Sequence, residues 1–163
     1  MGNGHSVLGT ILMITEWAGV VWKKLPWIAR TWIVRFTQAK FTVSAAVIIT
    51  NNRNEVLLLD HLIRPNSGWG IPGGFVKHGE QPAEGIRREI REETGIEMNN
   101  LRMFRVRTLG THLEILFTAA TECTPEIKSR EVKGFGWFGR GQMPEELNSA
   151  QKALIEQVFN RDV

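Results

Sequence analysis

The sequence predicts an α/β domain behind an amphipathic helical extension, and three observations carry this prediction. Phe41–Thr50 (FTVSAAVIIT) and Glu55–Leu62 (EVLLLDHL) are rich in β-branched and aliphatic residues and read as buried strands. Pro82–Thr94 and Pro144–Phe159 each place apolar residues at helical spacing. Strand-like segments lie between these two helices, so the two element types are interleaved rather than segregated.

The boundary between extension and domain is expected near residues 38 and 39, giving an extension of 1–38 and a domain of 39–163. Asn51, Asn52, Arg53 and Asn54 supply turn chemistry between the first two strands. The segment Arg64–Gly68 breaks the second strand. Trp69–Gly74 (WGIPGG) then reads as a short strand ending in a glycine turn. Pro82 suits the first turn of a helix, where its missing N–H costs nothing. Gly95 suits the left-handed residue just past the helix end. Leu101–Leu109 and His112–Thr121 read as strands joined across Gly110 and Thr111, and Glu131–Phe138 as another. In the closing helix Leu147, Ala150, Leu154 and Val158 fall roughly on one side.

A chain of 163 residues is long enough for one domain with a sizeable core. Its 42% hydrophobic and 23% charged residues are ordinary for a globular protein. The net charge of +3 fits an anionic substrate but argues for phosphate or nucleic acid only weakly. Cys123 is the single cysteine, so no intrachain disulfide forms and a reducing cytoplasm is the expected compartment.

The chemistry concentrates in the helix over Pro82–Thr94. Glu89, Glu92 and Glu93 stand at i, i+3 and i+4, so three carboxylates share one face. Left uncompensated, they repel one another. A hard cation such as Mg²⁺ or Mn²⁺ resolves this, since it takes oxygen ligands and bridges to phosphates. Ile86 and Ile90 are expected to bury the other face, and Arg88 to hold a neighbouring carboxylate by paired bonds. Charge runs are also commonly solvated surfaces laced with pairs such as Glu84–Arg88. The context favours chemistry, because a glycine-rich loop, Gly73 to Glu80, feeds the helix and lets backbone approach a ligand closely.

The full pattern is Gly74, five residues, Glu80, seven residues, Arg88-Glu89-Ile90-Arg91-Glu92-Glu93-Thr94-Gly95-Ile96. It resembles, at every defined position, the signature of the Nudix hydrolases, and Trp69-Gly70-Ile71-Pro72-Gly73 before it is also similar to that family. Gly85 departs from the usual alanine, at a cost of about 1 kcal/mol in helix propensity. The resemblance implies an α/β/α sandwich with a mixed sheet, and hydrolysis by water of a pyrophosphate bond in a nucleoside diphosphate linked to another group. It implies Glu89, Glu92 and Glu93 as metal ligands, with Mg²⁺ or Mn²⁺ as cofactor. Arg88 and Glu80 support these ligands, Gly73 and Gly74 let the backbone meet the substrate, and Glu89 or Glu93 acts as base. Glu131 is a further candidate ligand or base, with a surface glutamate as the alternative.

The resemblance narrows the substrate only through missing markers. The proline typical of ADP-ribose-cleaving relatives and the tyrosine typical of dinucleoside-polyphosphate relatives are absent, as are the extended motifs of the coenzyme A and NADH relatives. A nucleoside triphosphate is therefore favoured, and nucleic acid is not expected as a partner. A non-catalytic nucleotide sensor of the same fold is the alternative function. A diphosphate isomerase of related fold would want a catalytic cysteine, and Cys123 sits in no such setting.

Other residues carry weaker signals. Arg64, Arg105 and Arg107 are candidate phosphate contacts, and Trp69 a candidate stacking platform. His112 and Glu114 alternate on one strand face, reading as cleft residues or as plain exposed sheet. The N-terminal run over residues 6–22 is apolar except for Glu16, and Trp17, Trp22, Trp27 and Trp32 recur every five residues among Lys23, Lys24, Arg30, Arg35 and Lys40. Three readings stand for residues 6–36: packing on protein, including a homodimer partner; lying on a membrane surface; or spanning a membrane. The run is short for a span and has no basic region before it.

Overall fold

The computed structural model describes residues 16–63 and 68–161. The chain divides at Lys40 and Phe41 into two compact units. In the first, a helix over residues 16–24 (α1) is followed by α2 (Trp27–Thr37). Pro26 separates them, because its ring fixes an extended backbone (φ −53°, ψ 146°) just before α2 begins. No residue of α2 is buried.

The second unit contains strands β1 (Thr42–Thr50), β2 (Val56–His61), β3 (Trp69–Gly70), β4 (Gly73–Phe75), β5 (Arg102–Leu109), β6 (His112–Ala120) and β7 (Val132–Phe138), with helices α3 (Pro82–Thr94) and α4 (Ser149–Phe159). They form one mixed sheet in the order β3-β2-β1-β6-β5, with β4 pairing β1 and β7 pairing β2. Only β1 and β6 run parallel; the other pairs are antiparallel. The Asn51–Asn54 turn works through its side chains: Asn51 Oδ1 accepts from the amides of Arg53 (2.9 Å) and Glu55 (3.0 Å). Asn54 takes the left-handed conformation with φ 57°.

Alternation along the central strands builds two cores. Val47, Ile49, Leu57 and Leu59 pack with Ile86 and Ile90 of α3. Ile48, Val56 and Leu58 face the other way and pack with Leu154, Ile155, Val158 and Phe159 of α4. The sheet is therefore covered on both faces, and the domain is an α/β/α sandwich.

Three sequence expectations change. Trp69–Gly74 is two strands, β3 on β2 and β4 on β1, because Pro72 lacks an N–H for a ladder and instead accepts from Val47 N at 3.0 Å. Gly73 and Gly74 thus lie inside a strand rather than in a turn. The closing helix begins at Ser149, not Pro144, since Asn148 caps it by accepting from Ala150 N at 2.8 Å. Ala150 is exposed, and Ile155 and Phe159 fill the core instead.

Candidate active site

Helix α3 opens with Pro82 and closes at Gly95, whose φ of 71° is the left-handed geometry that glycine adopts without strain. Two of its side chains meet the loop that precedes it. Arg88 donates from Nε to Glu80 Oε1 (2.9 Å) and from Nη2 to Glu80 Oε2 (3.0 Å), a two-pronged pair. Its remaining nitrogen, Nη1, donates to Glu89 Oε1 at 2.6 Å and, more distantly, to Glu92 Oε2 at 3.4 Å. One guanidinium therefore gathers three carboxylates. Lys77 N also donates to Glu80 Oε2 at 2.9 Å. The Arg88 fork, helped by that amide, pulls the Glu80 carboxyl down to about 2. The same bonds to Glu80, with Glu89 adding to them, push the Arg88 guanidinium further above its ordinary range.

Glycine is needed on β4 because of Glu89. A Cβ on Gly74 would stand 2.4 Å from the Glu89 carboxyl carbon, closer than atoms can pack. At Gly73 a Cβ would meet Ala45 O and Ala46 Cβ at 2.8 Å. The two glycines let strand, sheet and carboxylate share one narrow space. At Gly85 the constraint is milder, since a Cβ there would stand 3.1 Å from Glu80 Oε2, a tight contact that a small shift of the carboxylate relieves.

Glu93 stands apart from that cluster. It is buried, and its Oε1 accepts from His61 Nε2 at 3.0 Å while its Oε2 has no hydrogen-bond partner. From the sequence, Ile86 and Ile90 are expected to bury the other face of the helix. In the fold Glu93 is buried beside them, because at 100° per residue it lies about 20° from Ile86 around the helix. The acidic stripe thus borders the buried stripe, and it runs from exposed Glu92 to buried Glu93.

His61 was not singled out from the sequence, although a signal exists. Leu57, Leu59 and His61 alternate along β2 and share the face toward α3, so a histidine in that series points at the helix. Its Nδ1 is buried and unpartnered.

The opposite sheet face carries a cleft of about 510 Å³. Its walls include Gly73, Gly74 and Phe75 of β4, Ser44, His112 and Glu114 of the sheet, Trp69, and Glu146, Asn148 and Gln151 at the start of α4. His112 is fixed between Thr42 Oγ1 (2.7 Å) and Ser44 Oγ (2.9 Å), and its ring meets Phe75 edge-on. Trp69 packs edge-on against Phe138 at 5.3 Å. Arg107 is ion-paired with Glu114, which lines the cleft and faces it across the β5–β6 ladder.

The structure does not unite all the residues singled out from the sequence. Arg105 and Glu131 are exposed. The Glu131 carbonyl accepts from Leu62 N at 2.8 Å, so its backbone adjoins the residue after His61. Arg64, and the run over residues 6–15, lie outside the described residues. Among the described residues, no three His, Cys, Asp or Glu side chains are already gathered as a closed ligand set.

Comparison with known proteins follows this geometry. The chain is 28% identical over 121 residues to the NAD-capped RNA hydrolase NudC of Vibrio parahaemolyticus, covering 70% of this chain and 46% of that protein. It is 26% identical over 104 residues to an 8-oxo-dGDP phosphatase of Danio rerio, covering 60% of this chain and 32% of that one. The chain thus spans less than half the length of these curated relatives. Among solved structures, the MutT protein of Methanosarcina mazei superposes with a TM-score of 0.63 at 27% identity, covering 77% of this chain and 96% of that one. The family model of the NUDIX domain matches residues 40–158, which hold the loop, α3 and the whole sheet, and the chain belongs to the Nudix hydrolase family.

Proposed function

We propose that this protein is a divalent-metal-dependent hydrolase of the pyrophosphate bond in a nucleoside diphosphate linked to another group, with a nucleoside triphosphate as the favoured substrate. Residues 39–163 carry the reaction, and residues 1–38 are an appended helical extension. One observation supports this reading most: Gly74 lines the cleft and also abuts Glu89. A nucleoside held in the cleft therefore has its phosphates beside the acidic edge of α3.

The residues fit a hard cation. Glu93 Oε2 is buried without a partner, and the donors on this edge are carboxylate oxygens. An open arrangement suits Mg²⁺, which takes one or two carboxylates and completes its shell with water and substrate phosphate rather than with a protein cage. Glu89, Glu92 and Glu93 would hold it, and the cation would neutralise the phosphate oxygens and the departing phosphate. Arg88 fixes Glu89 from the side while anchoring it to Glu80. His61 fixes one oxygen of Glu93 and leaves the other turned free. Glu89 or Glu93 accepts the proton of the attacking water. His112, Phe75 and Trp69 shape the cleft for a base, and Arg64, Arg105 and Arg107 are the candidates for phosphate.

The two relatives carry different substrates in their names, so the substrate is decided by assay. The full chain is incubated with Mg²⁺ and a panel of nucleoside triphosphates, oxidised nucleotides, dinucleotides such as NAD, and NAD-capped RNA. Turnover of triphosphates that disappears in excess EDTA is expected. Preference for the capped RNA would replace both the substrate choice and the expectation that nucleic acid is no partner. Binding without turnover would favour a nucleotide sensor.

A further inference from the structure

The described residues of the first unit carry a set of exposed apolar side chains. On α2, Ile28, Trp32, Ile33 and Phe36 recur at helical spacing and are 53%, 53%, 42% and 74% exposed. The Trp32 and Phe36 rings stack at 5.4 Å, forming one continuous aromatic plate. Around the helix, Arg30 and Arg35 fall beyond the two edges of this face. On α1, Trp17, Val20 and Val21 share a face with Lys24, and all three apolar side chains are exposed.

The polar groups of α2 are few and of one sign. The hydroxyls of Thr31 and Thr37 are satisfied by the helix itself, donating to Trp27 O (2.9 Å) and Ile33 O (2.8 Å). The charged groups of α2 are then its two arginines, and no acid on the helix pairs with them. No acidic residue occurs between Glu16 and Glu55, whereas Lys23, Lys24, Arg30, Arg35 and Lys40 all fall in that interval. Two copies meeting through this surface would oppose like charges. An anionic partner that accepts aliphatic as well as aromatic side chains satisfies both features. Among the described residues no helix is long and apolar enough to cross a membrane, and α2 is only about 16 Å long. Tryptophan and arginine beside exposed aliphatic residues are the composition of a helix lying in a lipid–water interface.

We infer that α1 and α2 form a docking surface for an anionic lipid bilayer, with α2 lying in the headgroup layer and its arginines, with Lys23, Lys24 and Lys40, at the lipid phosphates. This surface belongs to the first unit, whereas the cleft and α3 belong to the second.

The test uses the full-length chain and vesicles of phosphatidylcholine, with or without phosphatidylserine, in a flotation assay. Binding to the anionic vesicles that weakens with salt is expected, together with quenching of tryptophan fluorescence by brominated acyl chains. The Arg30→Gln/Arg35→Gln variant should lower partition about thirtyfold, from roughly fivefold per lost cation at an anionic surface. Trp32→Ser/Phe36→Ser should lower it at least about tenfold. Both variants should keep full nucleotide hydrolysis, which reports that the domain is folded. Wild-type chain that neither floats nor is quenched would overturn the inference, as would equal binding to neutral vesicles. A dimer that Trp32→Ser/Phe36→Ser dissociates, without vesicle binding, would assign the surface to a second copy. Retention of a single-stranded RNA instead of vesicles would assign it to nucleic acid.

Discussion

Helices α2 and α3 are both amphipathic and both carry arginines, yet they resolve their charges in opposite ways. In α3, Arg87 pairs with Glu84 and Arg88 with Glu80 and Glu89, while Ile86 and Ile90 are buried. In α2 nothing is buried and no acid shares the helix. A guanidinium enclosed among carboxylates fixes their positions, because its planar fork imposes direction as well as charge. A guanidinium beside an exposed apolar stripe fixes nothing within the chain and leaves its counterpart outside. The first arrangement orders an acidic edge and the second leaves exposed apolar and basic groups.

If α3 owes its role to the placement of its carboxylates, neutralising them must remove activity and spare the fold. Glu93→Gln and Glu89→Gln are each expected to lower kcat at least about 10²-fold, near 2.7 kcal/mol of transition-state stabilisation. Stability without metal should stay level or rise for Glu93→Gln, because a buried charge is removed. Glu84→Gln, more exposed than either, is the control and should hydrolyse substrate as wild type does. Loss of activity in the control with retention in Glu93→Gln would move the reaction to another face.

The next effect concerns the partner of Glu93. His61→Asn shortens the donor and should reduce kcat about tenfold with KM little changed, since His61 directs a carboxylate and does not line the cleft. Stabilisation of the fold by added Mg²⁺ should shrink in parallel. An unchanged kcat would show that Glu93 needs no orientation from β2.

The Arg88–Glu80 pair gives a smaller, pH-dependent effect. Glu80 titrates at about 2 in the folded chain against an ordinary 4.5. A depressed carboxyl contributes stability above its unfolded value, and that contribution is lost as pH falls from 4.5 toward about 2. Denaturation midpoints of wild type and Glu80→Gln should differ at neutral pH and converge through that window. A constant gap would mean that the difference does not come from the charge on Glu80.

The smallest effect is expected at Gly85. Alanine there gains about 1 kcal/mol of helix propensity. The new methyl would crowd Glu80 Oε2 at 3.1 Å. The measured gain in thermal stability should therefore fall below that value. A full gain would show that Glu80 yields freely and that the pair with Arg88 is loose.

Much of the fold was legible because strand and helix periods are local properties. Phe41–Thr50, Pro82–Thr94 and the β5–β6 hairpin emerge within a residue or two of their structural bounds. The signature spacing from Gly74 to Ile96 located the acidic helix for the same reason. Two expectations moved for different reasons. Pro72 divided one strand into two by serving Val47, distant in the chain on β1, whereas Asn148 moved the start of α4 by a local cap on the amide of Ala150.

The sequence by itself determined the composition of α3, the glycines around it and the unmatched basic, tryptophan-rich segment before residue 41. Only the tertiary structure decided that His61 meets Glu93 across 32 positions, and that Gly74 stands between the cleft and Glu89. Periodicity reports the face on which a side chain stands. It cannot report what stands opposite, because β2, β4 and α3 are brought together by packing of the sheet and not by their order in the chain.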